Sequence, residues 1–219
     1  MREHRLADQI TKGHYWKNGK GCAIGCTLHS SNHWAYEDEL GIPNQLAYLQ
    51  DELFEALAND QAMLFPEQFL EAIPVGADLY PAFWRFMLFA LLDEANGLMA
   101  FHQAKKAVRQ VAGFYQRALD GDEISWDEYL AARDTLDTPA NRYARGVLDA
   151  LDPLDPRAAV WAAYIPDTLA HMDNEAAFPD LGRVDAMITL QEAKDARAAA
   201  WRDKLLVCLS NAGVPLSDK

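Results

Sequence analysis

A chain of 219 residues, half of them hydrophobic and 24% charged, is long enough for one large domain with a well-buried core. Its net charge of −13 repels nucleic acid and anionic membrane, so no direct nucleic-acid binding is expected; such a field attracts cations or a basic protein surface. Three cysteines make no disulfide framework, the amino terminus MREHRLADQITKG lacks the apolar core of a signal peptide, and the longest apolar run, Phe86 to Leu92, is far short of the ~20 residues of a membrane span, so the expected setting is cytoplasmic.

In chain order, residues 3–12 are expected to form a short helix with Leu6 and Ile10 on one face. The stretch from Gly13 to Pro43 then gathers Cys22, Cys26, His14, His29 and His33, punctuated by Gly19, Gly21, Gly25 and Gly41. Asn18-Gly19 signals a turn. Cys22, Ile24, Cys26 and Leu28 alternate, yet Gly25 is a poor strand residue, so a short helix beginning near Cys22 is the competing reading. Ser31 or Asn32 suits a cap for a further turn or two through Leu40, Gly41 a helix stop, and Pro43 the first position of the next helix.

Leu46, Leu49, Leu53 and Leu57 make an apolar seam along residues 43–58, with Asp51, Glu52 and Glu55 expected to face elsewhere. Pro66 is expected to open a helix through Ile73, ended by Pro74-Val75-Gly76. Pro81 opens the segment Ala82 to Leu92, apolar nearly all round and therefore the expected buried central helix, with Phe86 and Phe89 both inaccessible. An amphipathic helix over residues 98–119, a capping box at Ser125 to Glu128 opening a helix through Leu136, helix starts at Pro139 and Pro156, a break at Pro166, and a last helix from Val184 to Asn211 complete the series. The expected fold class is all-α, a single-domain multi-helix bundle over residues 1–219. Asp152-Pro153-Leu154-Asp155-Pro156 is the best boundary candidate, short enough to be a helix–helix connection.

Charge is unevenly spread. Residues 1–20 hold five Lys or Arg against Glu3 and Asp8, whereas residues 21–80 hold ten Asp or Glu and no Lys or Arg. The basic start is therefore expected to dock on the acidic surface that follows it.

Several constellations in residues 14–37 carry candidate chemistry. Cys22, Cys26, His29 and His33 follow the spacing C-x3-C-x2-H-x3-H, all ligand types that zinc takes. On one continuous helix the first and last lie roughly 16 Å apart, so all four meet one ion only if the chain bends at Ser30-Ser31-Asn32. Cys22 is also a candidate nucleophile, its pKa expected to be lowered by a helix start and by Lys17 and Lys20, with His14 or His29 as candidate base. The competing reading makes both cysteines small, inert core residues. Lys17, Lys20 and Glu37 are candidate ligand-binding residues, although Gly19-Lys20-Gly21 lacks the spacing of a phosphate loop.

The stretch YWKNGKGCAIGCTLHSSNHWAYEDELGIP, followed by LQDELFEAL and FLEAIPVGADL, resembles a family of uncharacterised bacterial and phage-associated helical proteins. Its motifs are matched here by Gly19-Lys20-Gly21-Cys22 through Cys26, by Leu40 to Pro43, and by the segment from Ala193 to Leu206, whose Ala-rich stretch, Ala193 to Trp201, is shorter than the family's. The likeness is closest over residues 14–80. It implies a helical fold and brings no activity, cofactor or partner.

Two functions of different classes follow. One is an acidic helical interaction or regulatory protein that binds a basic partner without catalysis, with a phage or mobile-element setting implied by the resemblance. The alternative is a ligand- or metal-binding protein, or a thiol enzyme, using the cluster at residues 14–37, with zinc as the metal it would take.

Overall fold

The computed structural model of the chain describes residues 1–30, 32, 34–97, 99, 105–123, 125, 127–128 and 183–213. Helix α1 spans Arg2–Leu6, and a two-stranded antiparallel sheet pairs β1 (Trp16–Lys17) with β2 (Lys20–Gly21). Then follow α2 (Ala23–Leu28), α3 (Ala35–Leu40), α4 (Asn44–Ala56), α5 (Asn59–Glu71), α6 (Tyr80–Leu92), α7 (Lys105–Leu119) and α8 (Arg183–Ser210). The fold is all-α and multi-helical, as the periodicity predicts, with one small hairpin added. No described helix is long and apolar enough to cross a membrane. The helix expected beyond Glu128 through Leu136, those expected from Pro139 and Pro156, the break at Pro166 and the boundary candidate at residues 152–156 lie outside the described residues.

Local signals explain most of the boundaries. Gly41 ends α3 with φ +67°, the left-handed conformation that glycine adopts without penalty. Pro43 then stands at the start of α4, where its missing N–H costs nothing. The seam of α4 is buried as expected, with Leu46, Leu49, Leu53 and Leu57 all at 1% exposure or less. Asp51, however, does not face outward; it is buried on the same helix beside Asn44, Gln45 and Gln50. Nor does Pro66 open a helix: α5 begins about two turns earlier, at Asn59, and carries Pro66 in its interior. The helix forgoes one backbone hydrogen bond there, and the ring is buried against the core in exchange.

Helix α6 packs chiefly on α7 and α8. Ala82, Phe83, Phe86, Met87, Ala90 and Leu91 form its inner face. Phe83 meets Tyr115 of α7, and Phe86 meets Trp201 of α8 edge-on at 5.4 Å. The expectation of an all-round buried helix is corrected: one face is buried, and Trp84, Arg85 and Leu88 on the other are half-buried. Phe89 is only partly buried, lying under Lys204, and Leu92 is exposed. One cluster of apolar side chains runs from Ile10 through α2, α4, α5, α6 and α7 to Leu209 and Ala212.

The basic amino-terminal segment docks on the acidic one. Arg2 bonds Glu67 at 2.6 Å and Glu71 at 2.9 Å, and Arg5 bonds Glu67 at 2.8 Å. Lys12 donates to the carbonyls of Glu55 and Leu57, and the Gly13 amide donates to the Glu55 carboxylate. Helix α1 is only five residues long, and it turns Leu6 outward at 73% exposure, contrary to the expected Leu6–Ile10 face. Hydrogen bonds from Arg5 and Arg2 hold the Glu67 carboxyl below its ordinary range. A lowered carboxyl pKa stabilises the fold above the unfolded value of about 4.3 and is lost as pH falls through the folded value. The melting temperature should therefore drop in Glu67→Gln near neutral pH, and the gap to the parent should close on acidification below about pH 4.

Candidate functional site

The Gly13–Leu28 stretch is organised by one carbonyl. Asn18 and Gly19, both at positive φ (53° and 78°), make the tight turn that pairs Trp16 with Gly21 and Lys17 with Lys20. The hairpin folds the Tyr15 peptide onto α2. A Cβ built on Gly21 would stand 1.9 Å from the Tyr15 carbonyl oxygen, and one on Gly25 only 1.3 Å from it. The four-residue spacing of these glycines therefore leaves a slot for a passing peptide group. The slot is fixed from the other side, where the Gly21 amide donates to Gln9 and the Thr11 amide donates to Gly21. The Cys22 amide donates to the His14 carbonyl at 2.7 Å, closing the loop on itself.

Both cysteines are buried beneath this slot, Cys22 at 1% and Cys26 at 2% exposure. The Cys26 thiol donates to the Gly21 carbonyl at 3.2 Å, and burial pushes its pKa up. Cys22 caps α2, and burial, followed by the Asp51 carboxylate beside it, pushes its thiol up to about 12. This is the reverse of the lowering expected from Lys17 and Lys20. The two ammonium groups stay on the hairpin surface, and α2, at six residues, starts inside the core next to a carboxylate. A thiol held in its neutral form and shielded from solvent is a poor nucleophile. Tyr36, fully buried between the cysteines and Asp51, is likewise pushed up by burial.

The remaining candidates divide into three places. His14, Lys17 and Lys20 come together with Thr11 and Asn18 around an open cavity of about 420 Å³ on the hairpin. Lys20 approaches Asp8 at 3.8 Å, but Asp8 is 98% exposed and holds it weakly. Glu37 is not at this cleft. It accepts from the Asn44 side chain at 2.6 Å and the Asn44 amide at 3.4 Å, satisfying the start of α4, and from the Tyr80 hydroxyl at 3.1 Å.

His29 stands apart from the other candidate residues, at the end of α2. Its ring stacks on Trp16 at 4.4 Å, and its Nε2 lies 3.1 Å from Nε2 of His4. The proposed zinc quartet is not assembled: among the described residues no three His, Cys, Asp or Glu are placed to hold one metal ion, and His33 lies outside those residues. Bent or straight, the chain buries both thiols in the core while His29 faces solvent, so the three described members point to different environments.

Sequence reasoning did not find Asp51 or His4. Asp51 falls between the leucines of an amphipathic pattern, where nothing in the periodicity separates a buried carboxylate from a solvated one. His4 was hidden by the wrong face assignment of α1. Its only signal was the five basic groups of residues 1–20, which foretell docking but not its register. Compared with known proteins, the chain matches no family model, no curated protein and no solved structure, so the residues themselves carry the functional argument.

Proposed function

We propose that this chain is a non-catalytic binding protein that takes a small anionic ligand, phosphate being the simplest representative, in the hairpin cleft. The supporting observation is the convergence of His14, Lys17 and Lys20 with the polar Thr11 and Asn18 on one open cavity, in a chain whose net charge is −13. A cationic concavity on an acidic protein selects anions locally against the long-range field, and each charge-assisted contact contributes on the order of 1.5–3 kcal/mol. The rigid Asn18-Gly19 turn holds the two lysines on paired positions of the sheet, so little ordering is needed on binding. Titration with inorganic phosphate at low ionic strength, followed by amide resonances, should give saturable shifts confined to residues 11–20. Affinity in Lys17→Ala/Lys20→Ala should fall about tenfold or more. An absence of saturable shifts, or equal affinity in the double variant, would overturn the reading.

A second reading is favoured by the docking of the amino-terminal arm. Arg2 and Arg5 show that a basic segment fits the acidic helices, and Asp38, Glu39 and Asp60 remain exposed on α3 and α5. An intermolecular basic partner would use the same chemistry, with the chain acting as an interaction or regulatory protein, in the phage-associated setting that the sequence resemblance implies. The probe is a Lys/Arg-rich peptide titrated against two variants of equal charge. Neutralising Asp38, Glu39 and Asp60 should weaken binding more than neutralising Glu94, Glu123 and Asp127. Equal losses would show a response to net charge alone and remove this reading.

A further inference from the structure

His4 and His29 bring two metal-ligating atoms together near the surface. They come from separate elements, α1 and the end of α2, and bring their Nε2 atoms to 3.1 Å with the rings nearly perpendicular, at 87°. Two nitrogens bound to one ion at ~2.0–2.1 Å stand about 2.9 Å apart at a right angle and about 3.4 Å apart at the tetrahedral angle, a range that brackets the observed separation.

The surroundings orient both rings for this. Nδ1 of His4 lies 2.7 Å from Oε1 of Gln9, an oxygen that accepts; with its proton on Nδ1, His4 accepts the Nε2–H of His29 through Nε2, and a metal ion would take the place of that shared proton, His29 then carrying its proton on Nδ1. Such a partner on the distal nitrogen is the usual outer support of a metal-bound histidine. His29 is fixed by the Trp16 ring stacked on it at 19°. Its backbone is left-handed, φ 53° and ψ 33°, at the C-cap of α2. Glycine takes that position at lower cost, so the imidazole stands there at a small expense of strain. His29 is solvent-exposed, which leaves further coordination positions open to water.

We propose that His4 and His29 form a two-histidine site for a divalent transition-metal ion, with Gln9 orienting the first ring and Trp16 the second. Imidazole nitrogen suits Cu2+, Ni2+ and Zn2+, and Cu2+ binds tightest of the three by the general order of affinities. The net charge of −13 raises the local concentration of any such cation. The site differs from the zinc quartet in its membership: His4 replaces both cysteines, which are committed to the core.

The test uses the full chain, free of any histidine tag, titrated with Cu2+ alone. At one equivalent, pulsed electron paramagnetic resonance should count two imidazoles on the ion, and Trp16 emission should be quenched in step. His4→Gln and His29→Gln should each lose one imidazole and weaken binding about tenfold or more. Gln9→Leu keeps both ligands and should weaken binding about tenfold through loss of the Nδ1 acceptor alone, which tests the site without touching a ligand. Circular dichroism confirms that each variant is folded. Fewer than two imidazoles in the parent, or unchanged affinity in folded His4→Gln and His29→Gln, would overturn the site.

Discussion

Gly25→Ala is expected to destabilise the protein by about 3 kcal/mol or more, the upper end of what overpacking costs. The reason is that the new methyl would be placed 1.3 Å from the Tyr15 carbonyl oxygen and 2.3 Å from its carbon, both backbone atoms. A flexible side chain could swing away. A peptide group can move only with its neighbours, and Tyr15 is tied into the hairpin through Trp16–Gly21 and Lys17–Lys20. Relief therefore requires separating the hairpin from α2, which exposes Cys22 and Cys26 and the apolar cluster above Ile24. Gly19→Ala provides the contrast. Its φ is +78° but no atom lies within 4 Å of the added carbon, so only the left-handed backbone penalty of ~1–2 kcal/mol applies. Urea unfolding of both variants should rank Gly25→Ala well below Gly19→Ala. Equal midpoints would mean that the close approach to Tyr15 is not made.

Phe86→Ala should cost about 3–5 kcal/mol, as for a large ring removed from a site that cannot collapse. Phe86 is fully buried, touches Trp201 edge-on, and lies on the face of α6 that meets both α7 and α8. Trp201 itself is held in place by donating its indole N–H to the Asn96 carbonyl at 2.8 Å, so it has little freedom to fill the void. Phe89→Ala is the internal control. That ring is partly solvent-covered and shares its outer side with Lys204, so its removal leaves an indentation rather than a cavity and costs less. Denaturant unfolding of the two variants should separate them in that order. A Phe89→Ala loss equal to or larger than that of Phe86→Ala would contradict the placement of α6.

The sequence made the helices legible because their signals are local. The leucine seam of α4, Gly41 at the end of α3 and Pro81 at the start of α6 each act within a turn or two. Pro66 misled because a proline is read as a helix start, while here core burial of its ring outweighs one missing backbone bond. The candidate site was legible only in its membership. The density of Gly, Cys, His and Lys in residues 13–33 marked a special stretch, and His14, Lys17 and Lys20 do share one cavity. What each residue does depends on contacts made at long range. Gly21 and Gly25 receive Tyr15, Cys22 meets Asp51 from α4, and His29 meets His4 from α1. No spacing within the stretch encodes those partners.

The glycine–cysteine stretch is a packed clamp whose thiols are buried and held neutral. Native-state alkylation with a small reagent at pH 8, read by mass spectrometry, tests it most directly. Cys22, Cys26 and Cys208 are all buried and all have raised thiol pKa values, Cys22 at about 12. None of the three should be modified in the folded protein, adding a chelator should change nothing, and all three should react together once the chain is unfolded. Rapid and selective modification of Cys22 in the native state, with a midpoint below the ~8.5 of a free thiol, would contradict it and restore the nucleophile.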